Sequence, residues 1–347
     1  MTIVNTDRHA VTGGVDTHLD VHVAAALDEI GGLLGVESFE ASRAGNDKLL
    51  GWLQSFGPVA RVGVEGTGSY GAGLARLLRT AGVEVVEVDR PNRQARRRTG
   101  KSDPADAIEA ARAALSGRAQ GAGKTRDGNV EAIRVLVVAK RSARSSKIKA
   151  LNQIRHLGFT ASDELRERFS GISRQHLGAA AAGLRPRAGS DPVTFATKTA
   201  LATLGRRVLA LDGEKQRLDV LLAELVAGTA PALLNLHGVG VDTAATLLVA
   251  AGDNPSRLRG EAAWAHLCGV APLEASSGKV TRHRLNRGGD RQANSALWGI
   301  VITRLRSDPR TQTYMERRLK EGRSKPEIIG VLKRYVAREV YRHLPRH

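Results

Sequence analysis

One cysteine, Cys268, is all that the 347 residues contain. A single thiol excludes an internal disulfide and a cysteine-based zinc site. Aromatic residues make up only 3% of the chain. A core must therefore be filled by Ala, Leu and Val, and the 41% of hydrophobic residues suffices for one. No apolar run is long enough to span a bilayer, and no lipidation motif is found. The opening segment MTIVNTDRHAVTGG lacks the pattern of a signal peptide. These absences predict a cytoplasmic protein. Acids are scarce too: 35 Asp and Glu face 53 Lys and Arg, a formal net charge of +18. Such a surplus favours a polyanion as partner, with nucleic acid ahead of a membrane surface.

The charge is unevenly spread. From Lys279 to His347, 18 basic residues face 6 acidic ones. Arg90, Arg93, Arg96, Arg97, Arg98 and Lys101 form a second basic run without an acid. Lys279, Arg282, Arg284 and Arg287 follow a serine loop. All ten are candidate nucleic-acid contacts.

The first 118 residues alternate strand and helix patterns, which predicts an α/β domain over 1–118. GGVDTHLDVHVAAALD, LLGVESFE, RVGVE (61–65) and VEVVEVD (83–89) read as strands. SYGAGLARLLRTAG has helical spacing and ends at Gly82, a plausible C-cap. A helix from Pro104 to about Leu115 closes the region. SGRAQGAGKTRDGN (116–129) is polar and glycine-rich and reads as a linker. Residues 170–192 are weakly patterned, a loop or a frayed helix. A helical segment therefore spans 119–228, and an all-α domain 229–347.

Within the middle segment Leu201, Leu204, Val208, Leu211, Lys215, Leu218, Leu222 and Leu225 fall at alternating steps of three and four. That is a heptad stripe over about 201–225, broken once by Lys215. It fits either a helix packed on its own chain or a coiled coil joining two chains.

Four carboxylates stand at strand ends and at one helix start. Asp16 follows the apolar start of the first strand, Glu65 ends RVGVE, and Asp103 and Asp106 open a helix in KSDPADA. Ligand sites of α/β sheets gather at strand ends, and four oxygens suit hard divalent cations. Two Mg²⁺ roughly 4 Å apart support phosphoryl transfer. The plain reading competes: Asp103 caps a helix that has Pro104 first and Asp106 third, where acids favour the positive helix end. Asp16 then serves a turn and Glu65 a polar strand end.

Other patterns carry less. Asp16, His18, Asp20 and His22 alternate as a metal cluster would, but a solvated strand face or a bend after Asp16 explains them. GTGSYG lacks the Lys-Ser/Thr of a P-loop. LHGVGVDTAATLL places two glycines between apolar helical segments. This is helix-hairpin-helix-like, a form whose backbone N–H groups grip DNA phosphates, or a simple αα-hairpin. Ser276 and Ser277 lie in a polar loop beside Gly278, and no adjacent base activates them.

Together these pieces resemble the DEDD transposases of insertion sequences, the one-hundred-ten family, which includes related DNA invertases. GVDTHLDVHVAAALD, VEGTGSYG and KSDPADA resemble its RuvC-like nuclease half. LLNLHGVGVDTAATLLVA, WAHLCGVAPLEASSGK and NRGGDRQANSALW resemble its C-terminal transposase domain. The resemblance implies an RNase H-like (RuvC-like) N-terminal domain, a helical coiled-coil segment and an all-α C-terminal domain. It implies a DNA recombinase whose catalytic and metal-binding acids are Asp16, Glu65, Asp103 and Asp106. They would hold two Mg²⁺ ions, with Mn²⁺ as substitute. Ser277 matches the family's nucleophilic serine, with Ser276 as the alternative, and the attack leaves a phosphoserine link. The implied partners are donor and target double-stranded DNA, a noncoding bridge RNA that pairs with both, and further copies of the chain in a dimer or tetramer. A nucleoid-associated cytoplasmic location follows. The alternatives are a chromosomal DNA invertase, a junction-resolving nuclease using metal-activated water, and a non-catalytic DNA-architectural protein. Four acids argue against the last, since they repel phosphate unless a metal neutralises them.

Overall fold

A computed structural model describes residues 10–88, 102–119, 121–279, 283–284, 286 and 288–345. The candidate contacts Arg90, Arg93, Arg96, Arg97, Arg98, Lys101, Arg282 and Arg287 lie outside them. The chain forms two compact units, one built from residues 1–127 and 252–259, the other from 128–251 and 260–346.

The first unit is an α/β layer structure. Its strands are β1 (Val11–Thr17), β2 (Val21–Leu27), β3 (Leu33–Glu40), β4 (Val59–Glu65), β5 (Glu84–Val88) and β6 (Gly121–Ala122), in the spatial order β3-β2-β1-β4-β5-β6. β2 runs antiparallel to β1 and β3, whereas β1, β4 and β5 are parallel. The mixed sheet with its helices is consistent with an RNase H-like domain. Antiparallel neighbours need only tight turns, as at Leu19–Asp20, while the parallel pairs need helical crossovers. Those crossovers are α1 (Arg43–Phe56) and α2 (Ala72–Thr80).

α1 was not legible as an element in the sequence, although Ser42 caps it by accepting from the Gly45 N–H at 3.0 Å. Its Leu49 and Leu53 join Val15, Val62, Val64, Leu74 and Leu78 in the core on one face of the sheet. α2 ends as its glycine predicts. Gly82 takes φ +78°, its N–H reaches Arg79 O, and the Val83 N–H reaches Leu78 O at 2.9 Å. That is a Schellman closure.

The opposite sheet face is covered by α3 (Asp103–Leu115). It approaches so closely that side chains are excluded beneath it. A Cβ on Gly14 would stand 2.1 Å from Ala111 N, and one on Gly63 2.5 Å from Ala110 O. The polar stretch 116–129, expected to be a linker, supplies β6, which pairs antiparallel with β5. Asn254, from the returning segment 252–259, donates to Gly123 O at 2.9 Å in the same unit.

The second unit is mostly helical. Two long helices, α4 (Asn129–Thr160) and α7 (Pro192–Thr229), pack as an antiparallel pair. Lys140 meets Asp219 and Lys147 meets Asp212 (2.5 Å), so a step of seven up one helix matches seven down the other. Within the stripe of α7, Leu201, Val208 and Leu222 are buried. Leu201 and Val208 pack in one cluster with Ala150, Leu151 and Ile154 of α4. Lys215, the polar interruption, is ion-paired with Asp219 at 2.6 Å. Short helices α5 (Asp163–Phe169) and α6 (Leu177–Ala182) connect the pair.

The remainder holds α8 (Pro231–Leu234), α9 (Val241–Ala251), α10 (Glu261–Leu267), α11 (Arg291–Ser307), α12 (Pro309–Lys320) and α13 (Lys325–Arg342). Asp290 and Asp308 cap α11 and α12 through their carboxylates. Trp264, Leu297, Ile300, Val336 and Val340 are buried. This region is not all-α. Strands β7 (Leu273–Glu274) and β8 (His283–Arg284) form an antiparallel pair. Gly278, at φ +57°, lies between them in a conformation that disfavours a helix. Among the described residues no helix is long and apolar enough to cross a membrane.

Candidate metal centre

The strand register assembles the acids. Val15 pairs with Val64, so Asp16 and Glu65 are the next residues on neighbouring parallel strands. Side chains alternate along a strand. Gly14 and Gly63 face α3, so Asp16 and Glu65, each two residues further on, face that side as well. α3 runs antiparallel to β1, with Ala107 and Ala111 over Gly14, and this brings its first turn to the strand ends. Thr17, on the other sheet face, ties the two strand ends by donating to Glu65 O at 2.7 Å.

The plain helix-cap reading of Asp103 does not hold. Ser102 is the N-cap, Asp103 the first helical residue, and the Asp106 N–H reaches Ser102 O at 3.0 Å. Proline at the second position instead of the first moves the cap back by one residue. Asp103's carboxylate points to the strand ends, where it meets His18.

His18 is the residue the sequence reading left unassigned. Its Nε2 lies 3.1 Å from Asp16 Oδ2 and 3.5 Å from Asp103 Oδ1. One ligand atom from each of Asp16, His18 and Asp103 fits within 4.8 Å of the others. The alternating series Asp16, His18, Asp20, His22 does not form one strand face. β1 ends at Thr17, a bend follows, and His22 is buried on the sheet face opposite to Asp16, in register with Thr17. The sequence reading allowed a bend after Asp16; what it did not give is that the bend turns His18 back to Asp16 and Asp103.

Electrostatics mark the cluster as short of positive charge. Burial pushes the Asp16 carboxyl above its usual range; His18 pulls it down, and Asp106 and Asp103 push it up. Asp106 is itself buried. A divalent cation would remove both penalties, the desolvated charge and the mutual repulsion. The donor set fits such an ion: carboxylate oxygens suit Mg²⁺, and the imidazole adds affinity for Mn²⁺ and its neighbours in the series.

The loop after Glu65 is packed by an unusual residue. Arg126 holds φ +56°, and its Nη2 would be 2.7 Å from a Cβ on Gly68. No sequence signal pointed to it.

The serines belong to the second unit. Ser276 and Ser277 are exposed between β7 and β8, with Lys279 and Arg284 also exposed. That unit carries a cationic cleft unforeseen from the sequence. Lys140, Arg141 and Arg144 of α4 line it with Thr243 and Thr246 of α9 and Ser295 of α11. Lys140 is held by Asp219 and Asp242, and Arg141 Nη2 donates to Thr246 Oγ1 at 3.3 Å. α9 follows the glycine turn of LHGVGVD, where Gly238 takes φ +81°. Arg304 Nε braces that turn by donating to His237 O at 2.8 Å.

A mixed sheet consistent with an RNase H-like domain, with an Asp-His-Asp group able to hold a metal, defines the class of domain. Comparison with known proteins gives the family. Residues 13–157 match the family model DEDD_Tnp_IS110, described as "Transposase", and residues 230–316 match "Transposase IS116/IS110/IS902 family". The chain belongs to this insertion-sequence family. It is similar to an "Insertion element IS110 uncharacterized 43.6 kDa protein" of Streptomyces coelicolor, 30% identical over 141 residues, which is 40% of this chain and 35% of that protein. It is also similar to an "Insertion element IS900 uncharacterized 42 kDa protein" of Mycobacterium paratuberculosis, 28% identical over 139 residues, 39% of this chain and 35% of that protein. The matched stretch thus spans about a third of each relative's length.

Proposed function

We propose that this protein is a metal-dependent DNA transposase that cuts and exchanges strands by phosphoryl transfer. The observation that carries the reading is the convergence of Asp16, Asp103 and His18 within 4.8 Å; Asp106 acts electrostatically on Asp16, and Glu65 follows the residue paired with Val15 on the neighbouring strand. Asp16, Glu65, Asp103 and Asp106 hold Mg²⁺, in one or two ions, or Mn²⁺. When bound, the metal neutralises phosphate charge and polarises the P–O bond. His18, whose Nε2 lies beside both the Asp16 and Asp103 carboxylates, would add a nitrogen ligand to them.

Ser277 Oγ attacks a phosphodiester, its proton passes to a nearby base or water, and a strand hydroxyl leaves. The phosphoserine ester is then attacked by the hydroxyl of the exchanged strand, which frees the serine. One ester replaces another at each step, so no external energy source is needed. Ser276 is the alternative nucleophile.

The net charge of +18 supports binding to donor and target DNA. A noncoding bridge RNA would supply sequence choice while the protein grips backbones. The exposed Val135 and Val138 of α4 and Val220 and Leu221 of α7 support self-association through the outer faces of the long helices.

Strand-exchange assays on supercoiled donor and target DNA test the reading. Glu65→Ala should abolish exchange, and Ser277→Ala should abolish covalent protein–DNA adducts. Exchange by Glu65→Ala at the wild-type rate rejects the metal site. Adducts retained in Ser277→Ala but lost in Ser276→Ala move the nucleophile by one residue. Cleavage without adducts in the wild type favours the junction-resolving nuclease.

A further inference from the structure

α11, α12 and α13 enclose a cleft of about 460 Å³ in the second unit, a size suited to a small planar ligand. Its apolar floor is Val301, Leu332 and Val336. Its wall is aromatic: Tyr314 and Tyr335 meet edge to face, with centroids 6.0 Å apart and planes at 86°. Two tyrosines in one cleft are notable in a chain with four tyrosines in all. Tyr335 is half exposed and so offers ring surface to a second planar group. Arg317 lies over the Tyr314 ring, 5.4 Å from its centroid, and Arg310 also lines the cleft.

Arg304, which lines the cleft, has one donor unused. Arg304 gives Nε to His237 O and Nη1 to Glu339 at 2.7 Å. Its Nη2 is buried and has no protein hydrogen-bond partner among the described residues. A buried donor left unmatched is costly, so the site favours a ligand with an acceptor. The two carboxylates that line the cleft are already committed, Glu339 to Arg304 and Asp308 to the first turn of α12. Neither repels an anionic ligand as a free acid would.

An acceptor, a flat π-face and an attached anion together describe a nucleotide. We propose that this cleft receives one unpaired nucleobase of a nucleic-acid strand. The base stacks on Tyr335, a carbonyl or ring-nitrogen acceptor takes the hydrogen bond from Arg304 Nη2, and the flanking phosphates lie against Arg310 and Arg317. This rests on the nucleic-acid reading above and adds a site for a strand out of its duplex.

The test uses the full chain and fluorescence-anisotropy titrations. Probes are single-stranded DNA oligomers with bases, oligomers of equal length with abasic sugars throughout, RNA counterparts, and the matching DNA duplex. Wild type should prefer the base-bearing strand over the abasic one by about tenfold or more. Tyr335→Leu should remove most of that preference while abasic affinity stays unchanged. Tyr335→Phe should retain the preference. The DNA and RNA arms identify which strand supplies the base.

An unaltered preference in Tyr335→Leu, with circular dichroism confirming the fold, overturns the proposal, as does equal loss on base-bearing, abasic and duplex probes. Absence of salt-dependent binding to every probe by wild type would instead reject the nucleic-acid reading beneath it.

Discussion

Asp16 and Asp103 share one imidazole: His18 Nε2 lies 3.1 Å from the first carboxylate and 3.5 Å from the second. Asp103 lies 87 positions after Asp16 in the chain. They meet because α3 crosses β1 directly over Gly14, where no side chain could fit between them.

Asp16 should make the metal-free protein less stable at neutral pH. Its folded carboxyl lies above the usual value of 3.8. The stabilisation from protonating it is fully present below 3.8 and is lost as pH rises through the folded pKa. Asp16→Asn should therefore raise the melting temperature of the metal-free protein at pH 7. It should also lose the rise that Mg²⁺ gives the wild type. Calorimetry with and without Mg²⁺ reads both effects, and an equal Mg²⁺ response in the variant contradicts the site.

His18 should set the choice of ion. A nitrogen ligand favours Mn²⁺ over Mg²⁺. His18→Ala is expected to weaken Mn²⁺ binding about tenfold or more, the usual range for losing a ligand or its support, with a smaller effect on Mg²⁺. Titration calorimetry with each ion separately gives the ratio. Equal losses for both ions would make His18 a positioning residue.

Gly14→Ala should disrupt the site from beneath. The new Cβ would stand 2.1 Å from Ala111 N and 2.3 Å from Ala107 O, both backbone atoms that no rotamer change can move. Overpacking of this kind costs about 1–3 kcal/mol and here the upper end or beyond. Urea unfolding should show a lower midpoint, and Mg²⁺ should no longer stabilise a variant whose α3 has shifted. Gly51→Ala, in α1 with open space around it, is the control and should be neutral or slightly stabilising.

Asp219 should make the long helix pair sensitive to acid. Burial opposes its ionisation, but hydrogen bonds from Lys140 and Lys215 outweigh that and hold the carboxyl below 3.8. A depressed pKa gives stability that is present above 3.8 and is lost as pH falls through the folded value. The gap in urea midpoint between wild type and Asp219→Asn should be constant from pH 5 to 7, by the same linkage, and close below about pH 4. A third of the side chain is exposed, so solvent screening keeps the gap modest. A gap independent of pH would assign the effect to packing.

The strands β1, β3, β4 and β5 and the helices α2 and α3 were legible because their signals are local. Alternating or continuous valines, Gly82 at a helix end and Pro104 at a helix start each act within a few residues. α1 was missed because its apolar positions are separated by Gly, Asn, Asp and Lys, which lower local propensity, and only the sheet beneath rewards them. β7 and β8 were missed because strands of two residues have no periodicity to read.

The sequence by itself determined the chemistry available: strong positive charge, a single thiol, four acids placed at element ends and a serine beside a glycine. The apolar stripe of α7 was likewise written into its leucines. Tertiary structure alone decided which partners those groups take. Register on adjacent parallel strands put Asp16 beside Glu65, and the bend after Thr17 brought His18 to Asp103. The antiparallel course of α4 and α7 covered part of the leucine stripe within the chain, and three packed helices left Arg304 with one donor unspent. Side-chain periodicity is a property of the local backbone, whereas convergence depends on how distant elements pack, and packing is decided by the whole core at once.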